Sequence, residues 1–156
     1  MRKITLNLSD ILFYGRSYPI PRIYGSDTGN ASAGTLVGTE KWFCTQTREI
    51  LFLNDLLSQE VCTKENKDAL LPRLGYIRLF EVDMIALEKL FIQSLNDRKI
   101  TRFFGSIPDE DYDRQFNIFI EPAAELVHRW GKYEKDVLKK EAIAWCAQNH
   151  IAWSDL

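Results

Sequence analysis

The spacing of apolar residues changes character near the middle of the chain. Short strand-like runs fall in the first half, at 4–8, 41–45, 49–53 and 75–80. In the second half, apolar residues recur every three or four positions, within 84–95, 112–120, 123–130 and 132–148. The second pattern is typical of helices that bury one face. Because strands come first and helices follow, the chain is predicted to be α+β, with a small antiparallel sheet in the N-terminal half packed by a C-terminal group of four to five helices.

Two neighbouring strand patterns predict a hairpin. Residues 41–45 and 49–53 flank three polar residues, a connection short enough for a hairpin, although no glycine marks the turn. Residues 75–80 alternate and are predicted to add a third strand as a meander.

Capping residues predict where several helices begin. Ser9 or Asp10 could cap a single helical turn after the first strand, and Asp83 could cap the first long helix. Ser106 begins a capping-box-like segment, and Pro122 suits the first turn of a later helix.

Residues 15–39 have a different composition from the rest of the chain. They hold five of the eight glycines and two of the five prolines, and their central part is nearly free of apolar side chains. A connection of this length and composition predicts a flexible loop. With 156 residues in all, the chain is predicted to form a single domain over 1–156 that carries this loop.

Charge and cysteine usage narrow the range of functions. Twenty basic and 22 acidic residues give a net charge of −2, so no excess positive field favours nucleic acid, and nucleic acid is not the expected partner. Cys44, Cys62 and Cys146 are far apart in sequence, lack metal-ligand spacing and are predicted to be buried, reduced thiols. No stretch approaches the roughly 18 apolar residues of a membrane-spanning helix. A cytoplasmic protein without a membrane partner is therefore expected.

An acidic segment is one candidate for chemistry. Asp109, Asp111 and Asp113 have the spacing with which a calcium loop begins. The glycine and glutamate that such a loop needs are replaced by Arg114 and Ile120. Acids in a first helical turn also favour the helix dipole, which is the simpler interpretation. A small metal-dependent hydrolase that uses 109–113 with His128 is kept as an alternative.

A basic and aromatic segment is the second candidate. Its sequence over 98–104 is Arg98-Lys99-Ile100-Thr101-Arg102-Phe103-Phe104. Arginine beside exposed aromatic rings can anchor a protein interface or stack on bases. The alternative is a segment between helices with both phenylalanines in the core. Tyr18 and Tyr24 also fit no helical or strand period. The predicted binding residues are Tyr18, Tyr24, Arg98, Lys99, Arg102, Phe103 and Phe104.

Several segments together resemble a known family. They are Trp42-Phe43, Thr47-Arg48-Glu49-Ile50, Phe91-Ile92, Trp130 with Tyr133, and Ala142 with Trp145. These segments, which cover most of 40–151, resemble a bacterial family of uncharacterised proteins of the UPF type. Arg48 replaces the family's turn glycine, and its G-A-F-R-R-F-type stretch is reduced to 102–104. The resemblance implies a bacterial cytosolic α+β domain and carries no activity.

These observations together predict a bacterial, cytoplasmic, non-enzymatic protein-interaction or regulatory module. Its expected partner is another protein. No catalytic residue, metal ligand or cofactor is predicted. Two alternatives stay open: the hydrolase at 109–113, and a nucleic-acid-binding module that uses 98–104.

Overall fold

The computed structural model describes residues 5–18 and 40–155. This part of the chain divides into two compact units. The first contains residues 5–15, 40–81 and 138–155, and the second contains 16–18 and 82–137. The expectation of a single domain stays a prediction.

The first unit contains most of the strands. Its elements are β1 (Thr5–Asn7), α1 (Leu8–Ile11), a 3₁₀ turn (Leu12–Gly15), β3 (Lys41–Cys44), β4 (Ile50–Phe52), α2 (Leu53–Ser58), α3 (Lys67–Arg73), β5 (Tyr76–Arg78) and β7 (Ala152–Ser154). The second unit is mostly helical. Its elements are β2 (Arg16–Ser17), β6 (Val82–Asp83), α4 (Met84–Ser94), α5 (Arg98–Gly105) and α6 (Asp109–Ile120). The last helix, α7 (Ala124–Gln148), contributes residues to both units. The prediction of an α+β fold with a C-terminal group of helices is confirmed.

The predicted hairpin forms, but the third strand joins it on the other side. Strands β3 and β4 pair antiparallel, with Trp42 opposite Leu51. Arg48 supplies the positive φ of the turn, at 65°, so the turn forms without a glycine. Strand β5 pairs with β3, which gives the order β4-β3-β5. The predicted meander is therefore wrong, because α2 and α3 intervene and the chain returns to the free edge of β3.

Two parallel strand pairs were not expected from the sequence. Strand β7 pairs with β1, with Trp153 opposite Leu6, and β2 pairs with β6, with Arg16 opposite Val82. The prediction that strands are confined to the first half and that helices follow is thus wrong at the C-terminal end. Strands of two or three residues are too short to show a period, and their partners lie far away in sequence.

Of two predicted N-caps, one is confirmed and the other is wrong. The carboxylate of Asp83 accepts a hydrogen bond from the backbone N–H of Ala86 at 3.1 Å, which confirms Asp83 as the cap of α4. Helix α1 begins two or three residues earlier than expected. Its cap is Asn7, whose side chain accepts from the N–H of Ser9, and neither Ser9 nor Asp10 caps it.

The later helix boundaries also differ from the sequence interpretation. Ser106 ends α5, where its hydroxyl donates to the carbonyl of Phe103, and the N-cap of α6 is Pro108. Pro122 precedes α7, which continues through Gly131 as one helix of 25 residues where two were expected. Within the described residues, none of the helices is long and apolar enough to cross a membrane.

Each unit has its own aromatic core. In the first, the indole N–H of Trp145 donates to the carbonyl of Arg78 at 2.8 Å, and its ring meets the Phe43 ring edge-on, with centroids 5.6 Å apart. In the second, Phe91, Phe116 and Trp130 interlock, with centroid separations between 4.8 and 6.0 Å. Such edge-to-face contacts favour one fixed arrangement of rings.

Candidate binding site on helices α4 and α5

The basic and aromatic segment folds as a helix. Helix α5 follows Asp97, whose carboxylate accepts from the backbone N–H groups of Lys99 and Ile100 at 2.9 and 3.2 Å. This cap satisfies two of the free donors at the start of the helix. The segment is therefore a regular element with defined faces, and it is not the irregular connection that the sequence alternative assumed.

Of the two phenylalanines of α5, one is buried in the core and the other is exposed. Phe104 is 2% exposed, and its ring packs against Tyr112 and Phe119 at centroid distances of 5.3 and 5.4 Å. Phe103 is 53% exposed, and its ring rests edge-on against Phe104 at 5.2 Å. Phe104 is thus a core residue, and the prediction that it belongs to the contact surface is wrong. Phe103 remains at the surface, held by the ring beneath it.

Helix α5 carries three cations that the structure leaves unpaired. Arg98, Lys99 and Arg102 are exposed, and none makes a salt bridge to any residue in the described part of the chain. Helix α5 itself contains no acidic residue. By contrast, Lys89 of α4 is held by Asp109 at 2.6 Å. Ion pairs within the described part of the chain therefore do not neutralise the positive charge of α5.

Helices α4 and α5 contact each other and form a groove between them. Lys89, Ile92 and Gln93 of α4 line it at the spacing i, i+3, i+4, and Arg98, Thr101, Arg102 and Gly105 of α5 line it at i, i+3, i+4, i+7, which places each set on one face of its helix. Phe104 of α5 also contributes to the lining. We call this depression the α4–α5 groove. It has an outer part of about 630 Å³, which Asn96 and Asp97 of the turn line together with the two arginines, and an inner pocket of about 200 Å³.

The inner pocket combines apolar walls with polar groups at its rim. Its apolar walls are Ile92, Phe104, Ile107 and the ring of Tyr112. Gln93 and Thr101 line both the inner pocket and the outer part, so the two spaces adjoin. At Gly105 an added Cβ would meet no atom within 4 Å, so this position faces open space.

Tyr112 keeps its proton over the whole physiological range. Burial, followed by the negative charges of Glu88 and Asp109, raises the pKa of Tyr112 to about 12. The ammonium of Lys89 lies 5.5 Å from the centroid of the Tyr112 ring, a distance at which a cation and an aromatic face attract each other. The pocket wall is therefore uncharged at this point, with a cation above it.

The acidic segment does not assemble into a metal site. Asp109 is bound to Lys89, and Asp111 is paired with Arg114 at 2.6 Å on the same helix. Asp113 is buried and accepts from Asn117 at 3.2 Å. His128 is exposed on α7. Within residues 5–18 and 40–155, no three His, Cys, Asp or Glu side chains are grouped so that they could hold a metal ion. Asp109 and Asp111 lie in the first turn of α6, where they favour its dipole.

Of the two remaining predicted binding residues, Tyr18 does not line the groove. Tyr18 is half-buried and packs against the core of the second unit. Tyr24 and most of the predicted 15–39 loop lie outside the described residues. At the start of that segment, Arg16 and Ser17 form β2, so the predicted loop begins no earlier than Tyr18.

The three cysteines are free and buried, as the sequence predicts. Burial raises the pKa of the Cys62 and Cys146 thiols. Burial also acts to raise the pKa of Cys44, but hydrogen bonds from the hydroxyl and N–H of Thr47 and from the N–H of Gln46 outweigh it, so that this pKa is lowered. The hairpin turn therefore holds the most acidic of the three thiols, in a position that is closed to solvent.

Comparison with protein-family models, with characterised proteins and with solved structures finds no match for this chain. The resemblance to a UPF-type family thus has no support beyond the segments that suggested it. The α4–α5 groove is therefore the candidate functional site. The sequence predicted only its α5 half. The α4 half carried no signal in the sequence, because Lys89 and Gln93 are typical of any solvated helix face.

Proposed function

We propose that the protein is a non-enzymatic interaction module that binds an acidic segment of another protein in the α4–α5 groove. The observation that carries this proposal is the set of three exposed, unpaired cations on α5. Arg98 and Arg102 line the outer part of the groove one helical turn apart, and Lys99 lies beside them. The exposed ring of Phe103 adds apolar surface next to this charge.

The side chains suit carboxylates in particular. Each guanidinium offers a planar fork of donors that can bind a carboxylate through two parallel hydrogen bonds. Arg98 and Arg102, at i and i+4, can therefore bind two acidic side chains of one extended segment. Because the whole chain has a net charge of −2, the attraction is local to α5 and gives the partner a defined place to bind.

A protein partner fits the groove better than a nucleic acid does. Non-specific binding of single strands uses a continuous basic channel and several aromatic rings on which bases stack. Along α5, Phe103 is the one exposed aromatic ring, since Phe104 is buried.

The test is a titration with a defined acidic probe. A fluorescent peptide in which glutamates flank one phenylalanine should bind saturably, and added salt should weaken its binding. The variant R98E/K99E/R102E should lose at least about tenfold in affinity, because three favourable pairs become three repulsive ones. The matched control R129E/K132E/K135E changes the same amount of charge at exposed positions of α7, and should stay within about twofold of the unmodified protein.

The outcomes separate the candidate functions. Absence of binding by the acidic peptide, or an equal loss in the α7 control, contradicts the proposal. Tighter binding of an oligothymidine than of the acidic peptide, lost again in the α5 variant, would replace the protein partner by a single-stranded nucleic acid.

A further inference from the structure

We infer that a cleft between strands β1 and β4 binds an extended, basic segment of a partner protein, which adds a strand between them. The cleft is lined by all three residues of β1, by residues of α1 and the 3₁₀ turn, and by residues 48–50 of the hairpin. We call it the β1–β4 cleft. It lies within the first unit, so the inference does not rest on the α4–α5 groove.

The cleft is bordered by two free strand edges. In the described part of the chain, β1 pairs only with β7, and β4 pairs only with β3. The residues of β1 and Ile50 of β4 line the cleft, whereas no described residue of β7 or β3 does. The cleft therefore lies along the sides of β1 and β4 that point away from their strand partners. A free edge of this kind presents backbone N–H and C=O groups with which another strand can pair.

The hydrogen bonds of the hairpin show which backbone groups of β4 point to the free edge. The N–H of Cys44 donates to the carbonyl of Glu49 at 2.9 Å, and the N–H of Leu53 donates to the carbonyl of Glu40 at 2.9 Å. Successive residues of an antiparallel strand direct their backbone groups to alternate sides. Because Glu49 and Leu53 bond to β3, the N–H and C=O of Ile50 point away from β3 and are available to an added strand.

The dimensions of the cleft suit one short extended segment. Its volume is about 390 Å³, which falls in the range of roughly 300–1,000 Å³ that is usual for ligand sites. The three residues of β1 extend over about 10 Å, the length of about three residues of an extended peptide. Each edge is too short to hold a strand by itself. A segment that lies between the two edges can bond to β1 on one side and to β4 on the other.

The charges that line the cleft favour a basic segment. Asp10 and Glu49 are exposed there, together with one cation, Arg48. None of the three makes an ion pair with a residue in the described part of the chain. Two acids and one base leave a local charge of −1, which attracts a segment that carries lysine or arginine. This preference is opposite to that proposed for the α4–α5 groove.

The experiment titrates a blocked five-residue peptide, in which threonine and valine flank a central lysine, and follows amide hydrogen exchange by NMR. Pairing with the added strand should slow exchange at Ile50 by at least about tenfold at saturation. The amide of Tyr76, in the opposite edge strand of the same sheet, is the control and should not change. The same peptide with N-methyl groups on both valines lacks two backbone donors and should bind at least about tenfold more weakly.

Charge variants test the second determinant. D10N/E49Q removes both negative charges with little change of shape and should weaken binding of the lysine peptide about fivefold. The matched control E60Q/E65Q changes two exposed acids of the same unit that do not line the cleft, and its affinity should stay within about twofold of the unmodified protein. R98E/K99E/R102E, in the second unit, should also bind this peptide normally. Thermal melting checks that each variant is folded.

Each outcome decides for or against strand addition in the cleft. Absence of saturable binding, or binding that leaves exchange at Ile50 unchanged, contradicts the inference. Equal affinity of the peptide and its N-methylated form would exclude backbone pairing as the mode of binding. If exchange at Ile50 slows with rising protein concentration and no peptide, together with dimer formation, the occupant is a second copy of this chain and the inferred partner is wrong. A loss of binding in R98E/K99E/R102E would assign the peptide to the α4–α5 groove instead.

Discussion

The charges around Glu40 are paired and largely buried, whereas the charges on helix α5 are exposed and have no ion-pair partner in the described part of the chain. Glu40, in the first unit, has a side chain that is only 13% exposed. Its carboxylate accepts from the indole N–H of Trp42 at 2.8 Å and from the ammonium of Lys67 at 2.9 Å, and Arg78 lies 3.9 Å away. The cations of α5 are exposed and have no ion-pair partner in the described part of the chain.

The difference indicates what each group of charges contributes. Removal of a largely buried charge that has several partners destabilises the native state, because the partners are left unsatisfied. An exposed charge without partners contributes almost nothing to the free energy of unfolding. The fold therefore accounts for Glu40, whereas the three cations on α5 remain available to a partner.

The largest effect is expected from Glu40→Ala. This change leaves the Lys67 ammonium and the Trp42 indole without their shared acceptor, which should lower the free energy of unfolding by about 2–4 kcal/mol. Denaturation by urea measures it. Glu40→Gln retains one acceptor and should lose less. A loss below about 0.5 kcal/mol for the alanine variant would remove the contrast between the two regions.

Arg16→Ala extends the comparison to the second unit, where α5 itself lies. Glu134 is buried and receives two hydrogen bonds from the Arg16 guanidinium, at 2.6 and 3.0 Å. Because Arg16 is 39% exposed, the expected loss is smaller than for a fully buried pair, about 1–3 kcal/mol. The same urea titration applies. Stability equal to that of the unmodified protein would show that paired charges in this unit behave like the surface charges of α5.

Tyr112 predicts a pH dependence in the groove wall. Its pKa is about 12 in the folded protein, against about 10 in an unfolded chain, so the folded state binds this proton more tightly. The resulting stability is complete below pH 10 and is lost as the pH rises through 12, by about 1–2 kcal/mol. Tyr112→Phe should lack this part of the alkaline loss. Identical urea midpoints for variant and parent across pH 9 to 12 would contradict the assignment.

The smallest effects on stability are expected at the surface of the groove. Lys89→Met breaks an exposed ion pair with Asp109 and should cost less than about 1 kcal/mol. R98E/K99E/R102E should change the free energy of unfolding by less than about 0.5 kcal/mol, because two of the new acids lie in the first turn of α5 and favour its dipole. Thermal melting compares both variants with the parent, and a larger loss in the triple variant would mean that the α5 cations serve the fold.

The sequence predicted elements whose signals are local. The hairpin of β3 and β4 and the cap at Asp83 depend on residues that are neighbours along the chain, and both were predicted correctly. Residues 98–104 were predicted to bind a partner from their composition alone. Once those residues are known to form a helix, Ile100 and Phe104 fall on the same inward face while Phe103 turns outward.

Features that depend on distant segments could not be predicted. The pairing of β1 with β7 joins Leu6 to Trp153, and neither three-residue strand has a period of its own. The groove was missed for a similar reason, because its α4 side comes from an amphipathic helix whose polar residues, Lys89 and Gln93, are typical of any solvated face. Their role depends on α5 packing beside them, and the sequence does not encode that contact in a recognisable motif.

The central claim is that the α5 cations serve binding and not folding, and one pair of measurements tests it directly. Affinity for the acidic, phenylalanine-containing peptide and the free energy of unfolding are determined on the same preparation of R98E/K99E/R102E. The account predicts at least about a tenfold loss of affinity with a change in stability below about 0.5 kcal/mol. Unchanged affinity, or a loss of stability as large as that of Glu40→Ala, would contradict it.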